Sequence, residues 1–455
     1  MGEDDATFAP TETLPWVIEQ WAATDPDRPY LHHVDGGSRT YAEFHDATLR
    51  WADAFRGVGV VAGDNVPVIS PTTIRAQEHW HGLGWLRARY TGVNTDLRGS
   101  SLAYVIQNSR ARHVVSASPF LDRIAEIADD LARVELVIVS DDVDPPADFP
   151  FPVVSAHDLW DGASCDRGMR APQRHEIACI SYTSGTTGAP KGVLVPWGRL
   201  WPNHGWAGLT GTDVYYCPFP VFHMSGMLPL AWLGFPGGQV VLRDSFKTKE
   251  FWNDVRTYGC TTTALIPAMM NWLLDQPPRD DDLDNPLRFV NGAPVVPRVD
   301  EFRRRFGVQM RTQFGGTETG TALVAGPDVT ADRESQGKTV APGYEVRIVD
   351  EHDYDVRDGE AGELVVRPSN RGACSPATSI CRAKPLRRGG TAGSTPATAS
   401  CANAGAVTSS IASRTRCAVA ARTSRRARSR ATSTSIRRSP NPRQSECRPS
   451  TVRTK

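Results

Sequence analysis

The last part of the sequence has no aromatic residue and almost no acidic one. From Arg371 to Lys455 there is no Trp, Tyr or Phe, and Glu446 is the only acid among eighteen Lys and Arg. Such a segment cannot bury enough apolar area to offset the chain entropy lost on folding. We therefore expect residues 368–455 to form a disordered tail and residues 1–367 to form the folded body.

Three further absences exclude whole classes of protein. No apolar run reaches the roughly 18 residues needed to span a bilayer, so we expect no integral membrane segment. The first residues lack the basic and apolar regions of a secretion signal. The body has no C-x-x-C spacing, and its four cysteines are interpreted as buried thiols of a reduced compartment: Cys165, Cys179, Cys217 and Cys260. A soluble, cytoplasmic protein is predicted.

The formal net charge of zero is an average over two unlike parts. Residues 1–370 hold 33 Lys and Arg against 50 Asp and Glu, so the body is acidic. Because a protein that binds duplex nucleic acid needs a basic face, nucleic acid is not expected as a partner. A basic arm for nucleic acid or anionic lipid is an alternative interpretation of the tail, although charge runs are usually solvated.

Short apolar runs alternate with helical stretches along the body. Thr40-Tyr41-Ala42-Glu43 is a capping box that predicts the start of a surface helix, which Gly57 and Gly59 end. The later apolar runs recur at the rhythm of strands in a mostly parallel α/β fold, at 66–69, 114–116, 134–139, 177–182, 214–217, 240–242, 261–266, 289–290 and 308–310. Two more runs, Tyr344–Asp350 and Gly362–Arg367, predict a small β subdomain over about 338–367. The expected fold class is α/β, with a large multi-layer domain.

A Gly/Ser/Thr-rich loop is the strongest local signal. The segment 181–192 reads Ser-Tyr-Thr-Ser-Gly-Thr-Thr-Gly-Ala-Pro-Lys-Gly and follows the apolar run 177–180. Small residues let backbone N–H groups and hydroxyls close on phosphate oxygens, while Lys191 adds positive charge. Pro190 and Gly192 flank Lys191, so the loop is not a Walker A motif. A polyphosphate cradle is predicted; the alternative is a flexible linker.

This loop resembles the signature of the adenylate-forming superfamily, which includes acyl-CoA synthetases, luciferases and nonribosomal-peptide adenylation domains. Further segments resemble the family's motifs in the same order. These are Pro220–Gly226 with its histidine, Asn291–Pro294, Phe314-Gly315-Gly316-Thr317-Glu318 and Gly362–Arg367. Val93-Asn94-Thr95 is similar to the corresponding segment in the acyl-CoA ligase branch of the family.

The resemblance implies a role for each matching residue. The catalytic residues would be Lys191, Thr317, Glu318 and His223. Glu318 would coordinate Mg²⁺, because this ion prefers hard oxygen ligands. Thr317 would bond the α-phosphate, Phe314 would stack on adenine, and His223 would shape the acyl pocket. The implied nucleotide-binding residues are Thr183, Ser184, Gly185, Thr186, Thr187, Gly188, Lys191, Asn291, Gly292, Ala293, Phe314, Gly315 and Thr317. A core position is the alternative for Phe314, although its Gly-rich neighbours favour a site, and isolated histidines such as His223 are more often loop or core residues.

The family's second, lid domain does not follow the body. Its expected ribose-binding Asp, its hinge and its catalytic Lys are missing from the tail. Codons for Trp-Phe-His-Thr-Gly-Asp, read one base late, can give the Gly-Ser-Thr-Pro-Ala-Thr of Gly393–Thr398. We therefore hypothesise a one-base frame shift just after Arg367, in the gene or in its sequencing.

The function implied is ATP-dependent ligation of a carboxylic acid to CoA through an acyl-adenylate, impaired here by loss of the lid. The substrates and cofactors would be the acid, ATP, Mg²⁺ and CoA. One alternative is an adenylation enzyme that loads a carrier-protein thiol, and another is an inactive truncated product. The acid itself and the oligomeric state are left open, although the pocket residues are expected within Thr210–Pro236 and Val290–Thr321.

Overall fold

The computed structural model describes residues 12–144, 146–183, 190–200, 208–292, 298–326, 339–341, 343–350, 352–357 and 362–368, together with the backbone of two short strands at 381–383 and 399–400. The described α-helices, α1 to α10 in chain order, are Leu14–Thr24, Tyr41–Gly57, Ile74–Trp85, Gly99–Ser109, Leu121–Ala125, Ala156–Gly162, Met224–Gly234, Phe251–Thr257, Pro267–Leu274 and Val299–Phe306. None of these helices is both long and apolar enough to cross a membrane.

A seven-stranded sheet forms the first large layer. Its strands are β3 (Asn65–Ile69), β4 (Arg89–Gly92), β5 (His113–Ser116), β6 (Leu136–Val139), β7 (Val153–Ser155), β8 (Ile177–Thr183) and β9 (Lys191–Pro196). They lie in the order β7-β6-β5-β3-β4-β8-β9, and all neighbours are parallel except β8 and β9. The edge strand β9 thus folds back on β8 as a hairpin and carries the end of the predicted phosphate loop.

A nine-stranded sheet forms the second large layer. Its strands are β1 (Pro29–His33), β2 (Ser38–Thr40), β10 (Val214–Cys217), β11 (Gln239–Leu242), β12 (Thr262–Leu265), β13 (Phe289–Gly292), β14 (Gln309–Gly316), β15 (Gly320–Ala325) and β16 (Thr339–Val340). The order is β16-β15-β14-β13-β12-β10-β11-β1-β2, with parallel pairing from β14 through β12, β10 and β11 to β1. The predicted mostly parallel α/β class is confirmed.

A small antiparallel sheet ends the described chain. Its strands are β17 (Tyr344–Val349), β18 (Glu363–Pro368), β19 (Cys381–Ala383) and β20 (Ala399–Ser400). The first two match the predicted β subdomain, and they pair over their whole length. The last two lie beyond residue 367, within the segment that composition assigns to a tail. The domain boundary at 367 stays a prediction.

Helices α2 and α3 lie where the two large sheets approach each other. The capping box of α2 is confirmed: Thr40 Oγ1 accepts from the Glu43 N–H, and Glu43 Oε2 accepts from the Thr40 N–H at 2.8 Å. Helix α3 packs on α2 and contacts β1 of one sheet and both β4 and β8 of the other. Gly82 permits the close crossing, because a Cβ there would lie 2.8 Å from Trp51 Cβ. One hydrophobic core consequently runs from sheet to sheet.

The cysteines correct one prediction. Cys179, Cys217 and Cys260 are buried free thiols, as expected, but Cys165 is exposed. It lies in the loop after α6, where its Sγ contacts Asp46 Oδ1 at 3.7 Å. No core strand carries this residue, so apolar packing does not bury it, and the expectation of a buried thiol was wrong at this position.

Candidate active site

A cavity of about 610 Å³ opens between the two large sheets. Strands β4, β8, β13 and β14 all run toward it, and residues at or near their carboxyl ends line it: Gly92, Thr183, Asn291, Gly315 and Gly316. Ligands of parallel α/β sheets bind at this edge, because the loops leave the strands there. The cavity is the candidate site, and it receives residues from five of the six predicted motifs, all except Gly362–Arg367.

The strand pair β8–β9 brings the two ends of the predicted phosphate loop together. Thr183 lies directly opposite Lys191 in the ladder, and both Thr183 and Pro190 line the cavity. Gly192 leaves room for the neighbouring side chains of β8, since a Cβ there would lie 2.9 Å from Ile180 Cγ2. The predicted binding residues Ser184, Gly185, Thr186, Thr187 and Gly188 lie outside the described residues, so their contacts with phosphate stay a prediction.

Glu318 projects from the tight turn between β14 and β15. Gly315 makes the turn possible, because any Cβ at this position would collide with the Gly320 carbonyl. Arg199 holds the turn by donating from Nη1 to the carbonyls of Thr317 and Glu318. Burial raises the pKa of the Glu318 carboxyl, while the charges of Arg199 and Lys191 oppose this rise. The positive charge of Lys191 therefore lowers the pKa of the same carboxyl group to which the resemblance assigns the metal.

His223 is the N-cap of α7 and lies on the cavity wall. Its Nδ1 accepts the Ser225 backbone N–H at 3.3 Å and lies 2.9 Å from Ser225 Oγ. Because Nδ1 accepts, the proton of the neutral ring resides on Nε2. The side chain is exposed along the open cavity, yet surrounding protein atoms desolvate the ring and lower its pKa. His223 is thus a neutral hydrogen-bond donor at physiological pH.

The other residues of the Asn291 and Glu318 motifs do not all line the cavity. Asn291 and Thr317 line the cavity, and Gly292 ends the same strand as Asn291. Ala293 lies outside the described residues. Phe314 is not part of the described cavity lining; it packs against the small cluster of Ala322, Leu364 and Val366 between β15 and β18. Adenine stacking by Phe314 stays a prediction.

The rest of the cavity wall is largely apolar, and much of it comes from the nine-stranded sheet and helix α7. The aromatic residues of the cavity lining are Tyr182, Tyr215, Phe219, Phe222, Trp232, Phe289 and Tyr344. The predicted pocket segments, 210–236 and 290–321, contain most of this wall. The wall residues that were missed include Leu97, Val105, Leu209, Thr262, Ala264, Leu265, Ile266 and Phe289. Adjacent parallel strands present every second residue to one face, so Thr262 and Ala264 could have been found from the period of two.

The two histidines of α3 are not part of the described cavity lining. His79 and His81 lie on α3, buried among aromatic rings, and His81 Nδ1 is 2.9 Å from the Gln77 carbonyl. Within the described residues, no group of three or more His, Cys, Asp or Glu is arranged to hold a metal ion. A metal at Glu318 would therefore take its remaining ligands from substrate and water, as Mg²⁺ commonly does.

Known proteins and solved structures resemble this chain over most of its length. The chain is 29% identical over 343 residues to a crotonobetaine/carnitine–CoA ligase of Citrobacter koseri, covering 72% of this chain and 65% of that protein. It is 27% identical to long-chain fatty acid transport protein 1 of Mus musculus, covering 80% and 57%. The chain thus spans less than two thirds of these relatives' length.

Among solved structures, the anthranilate CoA ligase AuaEII in complex with anthranoyl-AMP shares the fold with a TM-score of 0.71 at 21% identity, covering 81% of this chain and 71% of that one. Residues 18–371 match the family described as AMP-binding enzyme, and the chain belongs to that family.

Proposed function

We propose that the chain activates a carboxylic acid with ATP and passes the acyl group to the thiol of CoA. The acid's carboxylate attacks the α-phosphorus, the bond to pyrophosphate breaks, and acyl-AMP forms. The CoA sulfur then attacks the acyl carbon, and AMP leaves. The observation that carries this proposal is the meeting of Thr183, Glu318 and His223 at one cavity between two sheets, with Lys191 acting on Glu318.

The proposed roles follow from charge. Two anions must approach each other, so cations and donors on the wall must offset their repulsion. Lys191 would neutralise the departing pyrophosphate, Thr317 would donate its hydroxyl to the α-phosphate, and Thr183 would contact phosphate from the end of β8. Asn291 and Gly292 would border the adenine. His223, a neutral donor at Nε2, would orient the acyl group.

Magnesium fits at Glu318, whose half-buried carboxylate is a hard oxygen ligand on the cavity wall. When bound, the ion would neutralise phosphate charge. Burial raises the pKa of this carboxyl, and the hydrogen bond from its own backbone N–H, followed by the charges of Arg199 and Lys191, opposes the rise.

Acid-dependent ATP–pyrophosphate exchange tests the first half of the reaction. We expect exchange with some members of a carboxylate panel and none without acid. Supplying CoA or a carrier protein then identifies the acceptor: release of AMP with CoA supports the ligase, and release only with the carrier supports the alternative. Absence of both ATP binding and exchange would favour an inactive product.

The tail is proposed to result from a one-base frame shift just after Arg367. The family match ending at residue 371 and the loss of aromatic and acidic residues beyond it support this. We expect the chain as given to bind ATP but to turn over poorly, since the family's lid lysine and CoA surface are missing. Resequencing the codons for Pro368 to Arg371 tests the proposal, and it fails if no displaced frame encodes a lid domain.

A further inference from the structure

Two amide side chains on neighbouring strands line the cavity without a hydrogen-bond partner. Asn291 is on β13, and Gln313 is on β14, two residues after Arg311, the register partner of Asn291. Residues two apart share a face of a strand, so both amides belong to the same wall. Asn291 Oδ1 and Gln313 Oε1 are buried without a partner among the described residues, and Asn291 as a whole is 8% exposed. Buried polar side chains are normally paired, so these two residues, the amide pair, indicate a place where a ligand group binds.

The strand register puts the amide pair between the two ends of the cavity. Gln313 lies two residues before Gly315, roughly 7 Å along the strand from the turn that carries Glu318. In the other direction, Phe289 lies two residues before Asn291 and belongs to the apolar part of the wall. An acid whose carboxylate reacts at the turn and whose far end contacts Phe289 would therefore pass both amides.

The amide pair favours an acid that carries a hydrogen-bonding group. Each amide has an acceptor oxygen and a donor NH₂ group, and a half-turn of the amide exchanges their positions, so either can be presented to the cavity. A plain hydrocarbon chain that passes them would displace water and leave these groups without partners. A hydroxyl both donates and accepts, so it can replace the hydrogen bonds of that water.

The surroundings favour a neutral group over a charged one. Both amides are neutral, and Glu318 is the only Asp or Glu among the described residues that line the cavity. An ammonium at the amide pair would be desolvated without a counter-charge, since the metal is proposed to bind at Glu318. The charge of Asp213 already acts on Arg311, the cation beside the amide pair, so this row of residues does not require a second anion either.

We propose that the acid substrate carries a hydroxyl part-way along its chain, and that Asn291 and Gln313 bind it. This inference rests on the proposed activation of a carboxylic acid at the same cavity. Both amides are then specificity-determining residues, because they distinguish a hydroxy acid from a hydrocarbon acid of the same shape. The amino group of adenine is the competing partner, because Asn291 is also proposed to border the adenine.

Calorimetric titration of the whole chain tests the proposal without requiring turnover. The probes are straight-chain acids of one length that carry a hydroxyl at each carbon in turn, each paired with the acids that carry a methyl or an ammonium group at the same carbon. We expect one position at which the hydroxy acid binds about 10- to 100-fold more tightly than the methyl acid, because two unpaired amides gain partners. The ammonium acid should bind most weakly at that position.

Substitutions of the amide pair assign the effect. Gln313→Met and Asn291→Leu keep the approximate size of each side chain, and each should reduce the hydroxyl preference about three- to tenfold, while the double variant should abolish it. Affinity for the methyl acid should be kept or raised in all three, which shows that the cavity is still folded. Gln107→Met is the control, because Gln107 is exposed on α4 and lies outside the described cavity lining. It should leave the preference within about twofold of the parent chain.

The same titrations with a bound ATP analogue, whose α–β bridging oxygen is replaced by methylene, separate the acid from the adenine. We expect the hydroxyl preference to persist; its loss would assign the amide pair to adenine and overturn the inference. Equal binding of hydroxy and methyl acids at every position, absence of binding by every acid, tighter binding of the ammonium acid, or an unchanged preference in the double variant would also overturn it. Titration with the analogue alone reports on the proposed function: failure to bind it, with the hydroxyl preference intact, would sink adenylation alone.

Discussion

The two ends of the cavity are built in different ways. The end that holds Thr183, Thr317 and Glu318 comes from turns at the carboxyl ends of strands in both sheets. The end that holds Tyr215, Phe289 and other apolar residues comes from strand faces of one sheet and from α7. The first end would bind ATP and the reacting carboxylate, which are common to every reaction. The second end would contact the variable part of the acid. We infer that substitutions at the first end act on all acids alike, whereas those at the second end select among them.

Glu318→Gln gives the largest expected effect. It tests whether a substitution at the first end affects the reaction of every acid alike. Removing the carboxylate charge should lower acyl-adenylate formation about 10²- to 10³-fold, or ~2.7–4 kcal/mol, for every acid that reacts. Single-turnover formation of acyl-AMP measures it. Glu345→Gln is the control, because Glu345 is exposed on β17 and pairs with Arg367. A loss confined to some acids would break the comparison.

Gly315→Ala should act on the first end through the backbone. The added methyl collides with the Gly320 carbonyl, so the β14–β15 turn must open and carry Thr317 and Glu318 with it. Overpacking of this kind costs about 1–3 kcal/mol of unfolding free energy. We expect a lower denaturant midpoint together with weaker ATP binding. Gly162→Ala, at the end of α6 with no neighbour within 4 Å, should leave both unchanged; equal effects of the two substitutions would contradict the steric argument.

Trp232→Ala should act on the second end alone. Trp232 lies on α7 and packs edge-on to Tyr215, with ring centres 6.0 Å apart. Its loss should weaken binding of acids with an apolar segment by about 1–1.5 kcal/mol, roughly tenfold, while ATP affinity stays constant. Calorimetry with each ligand separates the two. Trp272→Ala is the matched control, because Trp272 is 50% exposed on α9 and lies outside the described cavity lining. Weakened ATP binding in Trp232→Ala would show that the two ends are coupled.

The pH dependence of the first end is the smallest expected effect. Burial raises the pKa of Glu318 above its ordinary value of 4.5. Only the ionised carboxylate binds a cation, so Mg²⁺-dependent ATP affinity should rise with pH through this pKa and fall on acidification below it. Glu318→Gln should flatten that limb.

The first end was largely predictable because its residues are neighbours in the sequence. Thr183 and Lys191 flank one loop, and Thr317 and Glu318 share one turn, so fixed spacing carries the signal. The antiparallel pairing of β9 with β8 was not predicted, since the short apolar run 193–195 does not indicate whether a strand there is parallel or antiparallel to its neighbour. Phe314 shows the limit of a motif: the sequence has the expected aromatic, but its packing in this structure is set by Leu364 and Val366, about fifty residues later.

By itself the sequence determined the α/β class, the capping box of α2 and the two turn-borne motifs, because these depend on local spacing and on the alternation of apolar runs. Only the tertiary structure decided which strand faces meet. Arg311, Phe289 and Trp232 come from three separate elements and become neighbours of one cavity through the parallel register of β13 with β14 and the position of α7. Side chains on different strands contact each other through pairing and packing, which no short-range pattern encodes.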